Sequence, residues 1–114
     1  MEDCIFCKIV AGEIPADIVF EDDAVMAFRD LNPQAPTHVL VIPKRHIASL
    51  NDLTADDQSL MGRLFTAARA ITVQDGFADT GYRTVVNCNA DGGQTVFHIH
   101  LHLLGGRAMH WPPG

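Results

Sequence analysis

Basic residues are scarce. Eight Lys and Arg against fourteen Asp and Glu leave the 114-residue chain with a formal net charge of −6 and a pI of about 5.3. A nucleic acid polymer needs a basic surface that displaces counterions, so that partner is excluded. A mononucleotide is not excluded, because neutral donors and histidines can hold a single phosphate. No run approaches the roughly 18 apolar residues of a membrane-spanning helix, so no membrane partner is expected. The opening MEDCIFCKIV has two acids before its first base and lacks the layout of a cleavable signal, which makes the cytoplasm the expected location. Cys4, Cys7 and Cys88 are an odd number and suit reduced thiols better than a disulfide framework. Repeats, low-complexity tracts and linkers are also missing. The length suits one domain over residues 1–114.

Histidine is missing from residues 47–97, although the chain holds six. They fall into two groups, His38/His46 and His98/His100/His102/His110. Such grouping suggests a site assembled from two distant segments.

The patterning places a short helix at CIFCKIVA (4–11), stopped by the stretch from Gly12 to Pro15. DIVFE (17–21) and AVMAFR (24–29) flank Asp22-Asp23 as a tight hairpin. LNPQAP (31–36) is a loop and THVLVIP (37–43) a strongly apolar strand. A long helix runs from Thr54, which forms a capping box with Asp57, to about Asp75, with Gly76 at its end. Its stripe of Leu60, Met61, Leu64, Phe65, Ala68 and Ile71 is read as core. YRTVVNCN (82–89) and VFHIHLHLL (96–104) complete the set. Hairpin-linked strands with segregated helices imply an α+β fold: a five-stranded antiparallel sheet, one long helix and a short N-terminal helix.

On a strand, His98, His100 and His102 share one face, while Phe97, Ile99, Leu101 and Leu103 share the other and pack under the long helix. Three unpaired buried imidazoles would be costly, so the histidine face must look into a polar pocket. Same-face neighbours stand roughly 6.5–7 Å apart, which spreads the triplet over about 13 Å at the backbone. A single metal ion using all three is therefore the less favoured reading. Nucleophilic and acid–base chemistry on a compact anion is favoured, since a neutral imidazole offers one lone pair while its other nitrogen keeps a proton. The preceding DGGQT lets backbone N–H groups approach a phosphate.

HIHLHLL matches the alternating signature of the histidine-triad superfamily. IPAD (14–17), FEDD (20–23), LNPQAPTHVLVIPKRHI (31–47) and GGRAMHWPPG (105–114) resemble its nucleotide-binding branch, whose members are purine nucleoside phosphoramidases. The resemblance implies that His100 attacks the α-phosphorus of a purine nucleoside 5′-phosphoramidate, of the adenosine 5′-monophosphoramidase type. An amine leaves, and water hydrolyses the nucleotidyl-histidine to the nucleoside monophosphate without a catalytic cofactor. It further implies that His102 contacts phosphate oxygens and that His38 sits behind His100. The carbonyl of His98 would hold the nucleophile's other ring proton. Asp30 matches the ribose-binding position, and Phe6, Ile9, Phe28 and Leu31 match the walls around the base. Asn87, Gly93, Thr95 and Val96 match positions around the phosphate and leaving group. The family usually has serine where Thr95 stands; threonine keeps the hydroxyl and adds a stiff methyl.

Bacterial members of the superfamily often bind structural zinc at a Cys-x-x-Cys pair. Here that implies a Cys₂His₂ set of Cys4, Cys7, His46 and His98. A pair of reduced cysteines on an apolar helix is the alternative. The C-terminal tail, with Trp111, is implied to reach the active site of a partner subunit in a homodimer; a tryptophan covering its own core is the alternative. Two other functions stay open: a sister activity on dinucleoside polyphosphates or in nucleotidyl transfer, and a non-enzymatic nucleotide- or zinc-binding adaptor.

Overall fold

Apolar runs without alternation mark strands covered on both faces, and two of the chain's strands have this character in the computed structural model, which describes residues 3–114. Met1 and Glu2, part of the N-terminal reading above, lie outside the described residues. The element order is α1 (Ile5–Val10), β1 (Ile18–Glu21), β2 (Val25–Arg29), β3 (Thr37–Pro43), α2 (Gln58–Asp75), β4 (Tyr82–Val85), α3 (Asn89–Gly92) and β5 (Leu101–Gly105). The strands form one antiparallel sheet in the order β1-β2-β3-β5-β4. The α+β class and the five-stranded sheet with one long and one short N-terminal helix are as expected.

Period-two alternation sorts the core into two layers. Val25, Ala27, Val39, Val41, Leu101 and Leu103 face α2, where Leu64, Ala68 and Ile71 meet them. Met26, Phe28, Leu40 and Ile42 face the other way, onto Phe6 and Ile9 of α1. The second layer is the one that carries the histidines. Thr54 and Asp57 do form a capping box, but it opens a 3₁₀ turn at Ala55–Asp57 that leads into α2. Gly76 ends α2 with φ +81°, a conformation that favours glycine.

Three expectations need correction. The strand expected over 96–104 pairs only from Leu101, so His98 and His100 precede the ladder. Residues 96–98 bend, yet Ile99 still reaches the α2 layer and donates its N–H to Ile47 C=O at 2.8 Å, which keeps it opposite the histidines. The strand expected over 82–89 stops at Val85, since Cys88 opens the α3 turn. Phe65 and Phe97, both assigned to the core, are half exposed at 49% and 50%.

Candidate active site

Register brings the two histidine groups together. His38 pairs with Leu104 and Leu40 with His102 across β3 and β5, so His38 and His102 are diagonal neighbours on one face. His38 Nε2 lies 2.9 Å from His102 Nδ1. The partner of His38 is thus His102 rather than His100, because a strand diagonal reaches only the next same-face residue. His100 meets His102 edge to face instead, with centroids 4.9 Å apart and planes at 63°.

Backbone groups fix the tautomers. His100 Nδ1 is 2.8 Å from the carbonyl of His98. A carbonyl only accepts, so Nδ1 carries the proton and the neutral ring keeps its lone pair on Nε2. Gln34 N–H donates to His38 Nδ1 at 3.0 Å, which puts the His38 proton on Nε2, facing His102 Nδ1. His102 therefore accepts at Nδ1 and presents an N–H at Nε2. One ring offers a lone pair and its neighbour a donor.

Burial favours these neutral forms. It pushes His102 down to about 4, helped by His100 and His38 and opposed by Asp30. His38 is lowered by burial against the pull of Asp30, and His98 is lowered mainly by burial. Phe6 supplies an apolar edge to His100, with centroids 5.2 Å apart and planes at 86°.

A cavity of about 310 Å³ opens at these rings. Phe6, Ile9, Phe28, Asp30, Leu31, Thr95, Val96, His100 and His102 all line it. Leu31 is fully exposed at the rim, and Thr95 is exposed. Asp30 accepts from Asn32 N–H with one carboxylate oxygen, while the other lies 3.4 Å from His38 Nε2. Asn87, Gly93 and Trp111 do not line the cavity. Gly93 closes the α3 turn with φ +83°. Trp111 is 83% exposed, so it does not cover its own core. Arg83 donates to the carbonyl of His110 at 2.8 Å and anchors that tail. Ile14, Pro15, Ala16 and Asp17 also form cavity wall, a role that the sequence pattern alone does not give to the IPAD stretch. Sequence reasoning missed Gln94, which is buried and whose side-chain amide ties the 89–96 loop to Ala48.

His98 points elsewhere. It is fully buried and leaves the cavity to His100 and His102. Its Nε2 donates to Pro43 C=O at 2.7 Å, which leaves a lone pair on Nδ1. That atom lies 3.2 Å from Cys4 Sγ and 3.5 Å from Cys7 Sγ, while His46 Nδ1 is 3.3 Å from Cys7 Sγ. All four donor atoms lie within 4.8 Å of one another. Tetrahedral zinc with these ligands sets neighbouring S and N atoms about 3.6 Å apart, so the set fits such an ion with small adjustments. A carbonyl behind a ligating histidine is the usual outer support. Burial, then Cys4, pushes the Cys7 thiol up to about 11, a direction opposite to the one in which a bound cation drives a ligating thiol. The cluster can hold a metal ion. Asp30, His38 and His102 also converge within 4.8 Å, but there the His38 Nε2 proton already fills the gap. All three cysteines are free.

Fold and site together define a histidine-triad protein. The pattern of the HIT domain family matches residues 11–109, and the chain belongs to that family. It is a hydrolase of this family. It is 53% identical over 108 residues to the purine nucleoside phosphoramidase of Escherichia coli, covering 95% of this chain and 91% of that one. An uncharacterised HIT-like protein of Synechococcus elongatus is 58% identical over 99% of this chain and 98% of its own. The crystal structure of a HIT family hydrolase from Legionella pneumophila superposes with a TM-score of 0.96 at 56% identity, covering 98% of this chain and all of that one. No helix among the described residues is long and apolar enough to cross a membrane.

Proposed function

We propose that the chain hydrolyses the P–N bond of purine nucleoside 5′-phosphoramidates, adenosine 5′-phosphoramidate included. One observation carries this reading: His100 is locked by the His98 carbonyl with Nε2 free, beside a His102 that presents an N–H to the same cavity. The base lies between Phe6, Ile9, Phe28 and Leu31, and Asp30 takes the ribose hydroxyls. His100 Nε2 forms a bond to the α-phosphorus while the P–N bond breaks and the nitrogen leaves as an amine, taking up a proton from solvent; the later attack of water returns one. His102 Nε2–H binds a phosphate oxygen as charge builds there. Thr95 supplies its hydroxyl near the departing nitrogen, and Asn87, Gly93 and Val96 shape the phosphate loop. Water then attacks phosphorus, the P–His100 bond breaks, and nucleoside monophosphate is released.

Cys4, Cys7, His46 and His98 hold a structural zinc in this reading. When bound, the ion supplies rigidity at His98, two residues before the nucleophile, and takes no part in the displacement. The functional unit is a homodimer in which the exposed Trp111 tail reaches the partner's cavity, and its location is the cytoplasm.

Turnover of adenosine 5′-phosphoramidate against diadenosine polyphosphate tests the reaction. A higher kcat/KM for the P–N substrate is expected, and preference for the polyphosphate overturns the proposal. His100→Ala should abolish turnover yet still bind nucleoside monophosphate. A wild-type protein that binds nucleotide without turnover would instead be an adaptor.

A further inference from the structure

The donor that His102 presents to the cavity depends on a tautomer, and the tautomer depends on a loop. His38 and His102 can share a proton in two ways. With the proton on His38 Nε2, His102 accepts at Nδ1 and shows an N–H at Nε2. With it on His102 Nδ1, His38 carries its own proton on Nδ1, and His102 turns a lone pair toward the cavity. Two contacts select the first arrangement. The Gln34 N–H stands 3.0 Å from His38 Nδ1, and Asp30 Oδ2 lies 3.4 Å from His38 Nε2.

Gln34 belongs to a largely exposed loop, residues 31–36, between β2 and β3. The loop's own bonds are short-range. Asn32 N–H donates to Asp30 Oδ1, and Gln34 Nε2 donates to Asn32 C=O. Arg107 reaches it from the far side of the sequence. Its Nε donates to Gln34 C=O at 3.0 Å across 73 residues, while its Nη1 donates to Ala108 C=O at 3.0 Å and steadies the guanidinium. Gly106 lets the two segments approach, since a Cβ there would stand 2.8 Å from Pro36 Cβ. Arg107 forms no ion pair with any described residue, so no carboxylate competes for it.

We propose that Arg107 is a positioning residue of the reaction. By pinning the Gln34 carbonyl it holds the Gln34 N–H against His38 Nδ1, and so keeps His102 a donor toward the phosphate. The proposal rests on the phosphoramidate reading above. Arg107 does not line the cavity and acts only through the tautomers of His38 and His102. One charge-assisted hydrogen bond biases such an equilibrium on the order of tenfold.

Nitrogen NMR of the imidazoles, beside steady-state kinetics and calorimetry on the whole chain, tests the proposal. Wild type should show His38 and His102 protonated at Nε2. Arg107→Ala should mix in the Nδ1-protonated form of both rings and lower kcat on adenosine 5′-phosphoramidate about tenfold. Adenosine, which brings no phosphate to His102, should bind as before. Arg107→Lys keeps a charged donor and should recover most of the tautomer and of kcat. Tautomers that stay put in Arg107→Ala, a kcat that does not follow them, or an equal loss of adenosine binding overturns the proposal; the last would mean that the loop beside Asp30 has merely collapsed. Failure of the phosphoramidase reading shows separately, as a wild-type protein that cleaves no phosphoramidate while the Arg107→Ala spectrum still changes.

Discussion

His38 Nε2 stands 2.9 Å from His102 Nδ1, while Asp30 Oδ2 lies 3.4 Å from the same His38 nitrogen. The His38 proton is thereby committed to His102, because Gln34 N–H occupies the other ring nitrogen. His102 in turn can only present its own proton at Nε2. A chain that starts at a backbone amide thus ends as a donor in the cavity.

Removing the link frees His102 to carry its proton on the wrong nitrogen. His38→Ala should lower kcat by about 10²-fold, the scale of losing a correctly poised proton donor. Binding of nucleoside monophosphate should change far less, since His38 does not line the cavity. Steady-state kinetics beside calorimetry checks this, and an equal loss in both would show that His38 merely supports the pocket wall.

Much of this was legible because alternation is a local property. HIHLHLL placed Ile99, Leu101 and Leu103 against α2 and the three histidines opposite, and the structure keeps that division even where the ladder fails. The division of labour among the histidines was legible only through the family resemblance, which implied His98 with Cys4, Cys7 and His46 and left His100 and His102 to the phosphate. Nothing in the spacing says that His98 turns to Cys4 and Cys7 while His100 and His102 line the cavity, since that depends on where α1 docks. His38 was placed behind His100 for want of a register, which the β3–β5 pairing alone supplies. Phe97 occupies an apolar position by parity, yet the chain there has not joined the sheet and no helix covers it.

Helix α1 has six residues, too few to persist alone in water. Among the described residues, and beyond the backbone bonds of the turn that follows it, its hydrogen bonds to the rest of the chain run between Cys4 or Cys7 and His46 or His98. The same helix carries Phe6 and Ile9, two walls of the cavity that His100 and His102 line. Cys4→Ser/Cys7→Ser should therefore lose about one equivalent of zinc and weaken nucleotide binding together, with kcat/KM falling about tenfold. Elemental analysis and calorimetry on the same preparations check it. Unchanged affinity after metal loss would mean that apolar packing alone holds α1.

Stability should depend on pH in a defined window. His102 titrates at about 4 in the fold and near 6.5 in the unfolded chain, so the unfolded state binds the extra proton between these values. Its contribution is fully present above about 6.5 and is lost as pH falls toward 4, and His38, also lowered, acts in the same direction. Asp22 and Asp57, whose carboxyls are held below their usual range, add losses only at lower pH. Urea unfolding should show stability falling from pH 6.5 to 4.5, less steeply in His102→Asn. A flat profile would mean that these rings take up protons in the folded state.

Gln94 makes three hydrogen bonds from a buried position. Its Nε2 donates to Ala48 C=O at 2.8 Å and Val96 C=O at 3.1 Å, and its Oε1 accepts from Asn89 N–H at 2.9 Å. These bonds span the loop that delivers Thr95 to the cavity of His100 and His102, and they tie it to the segment after β3. Gln94→Ala should cost about 2 kcal/mol of stability, since it strands partly buried backbone groups. Gln94→Glu separates the contributions: the carboxylate still accepts from Asn89 but cannot donate to either carbonyl. Thermal unfolding should rank wild type above both variants, and kcat should fall in both because the loop loses its tether to Ala48. If Gln94→Glu matched wild type in both readouts, the Asn89 bond alone would position the loop.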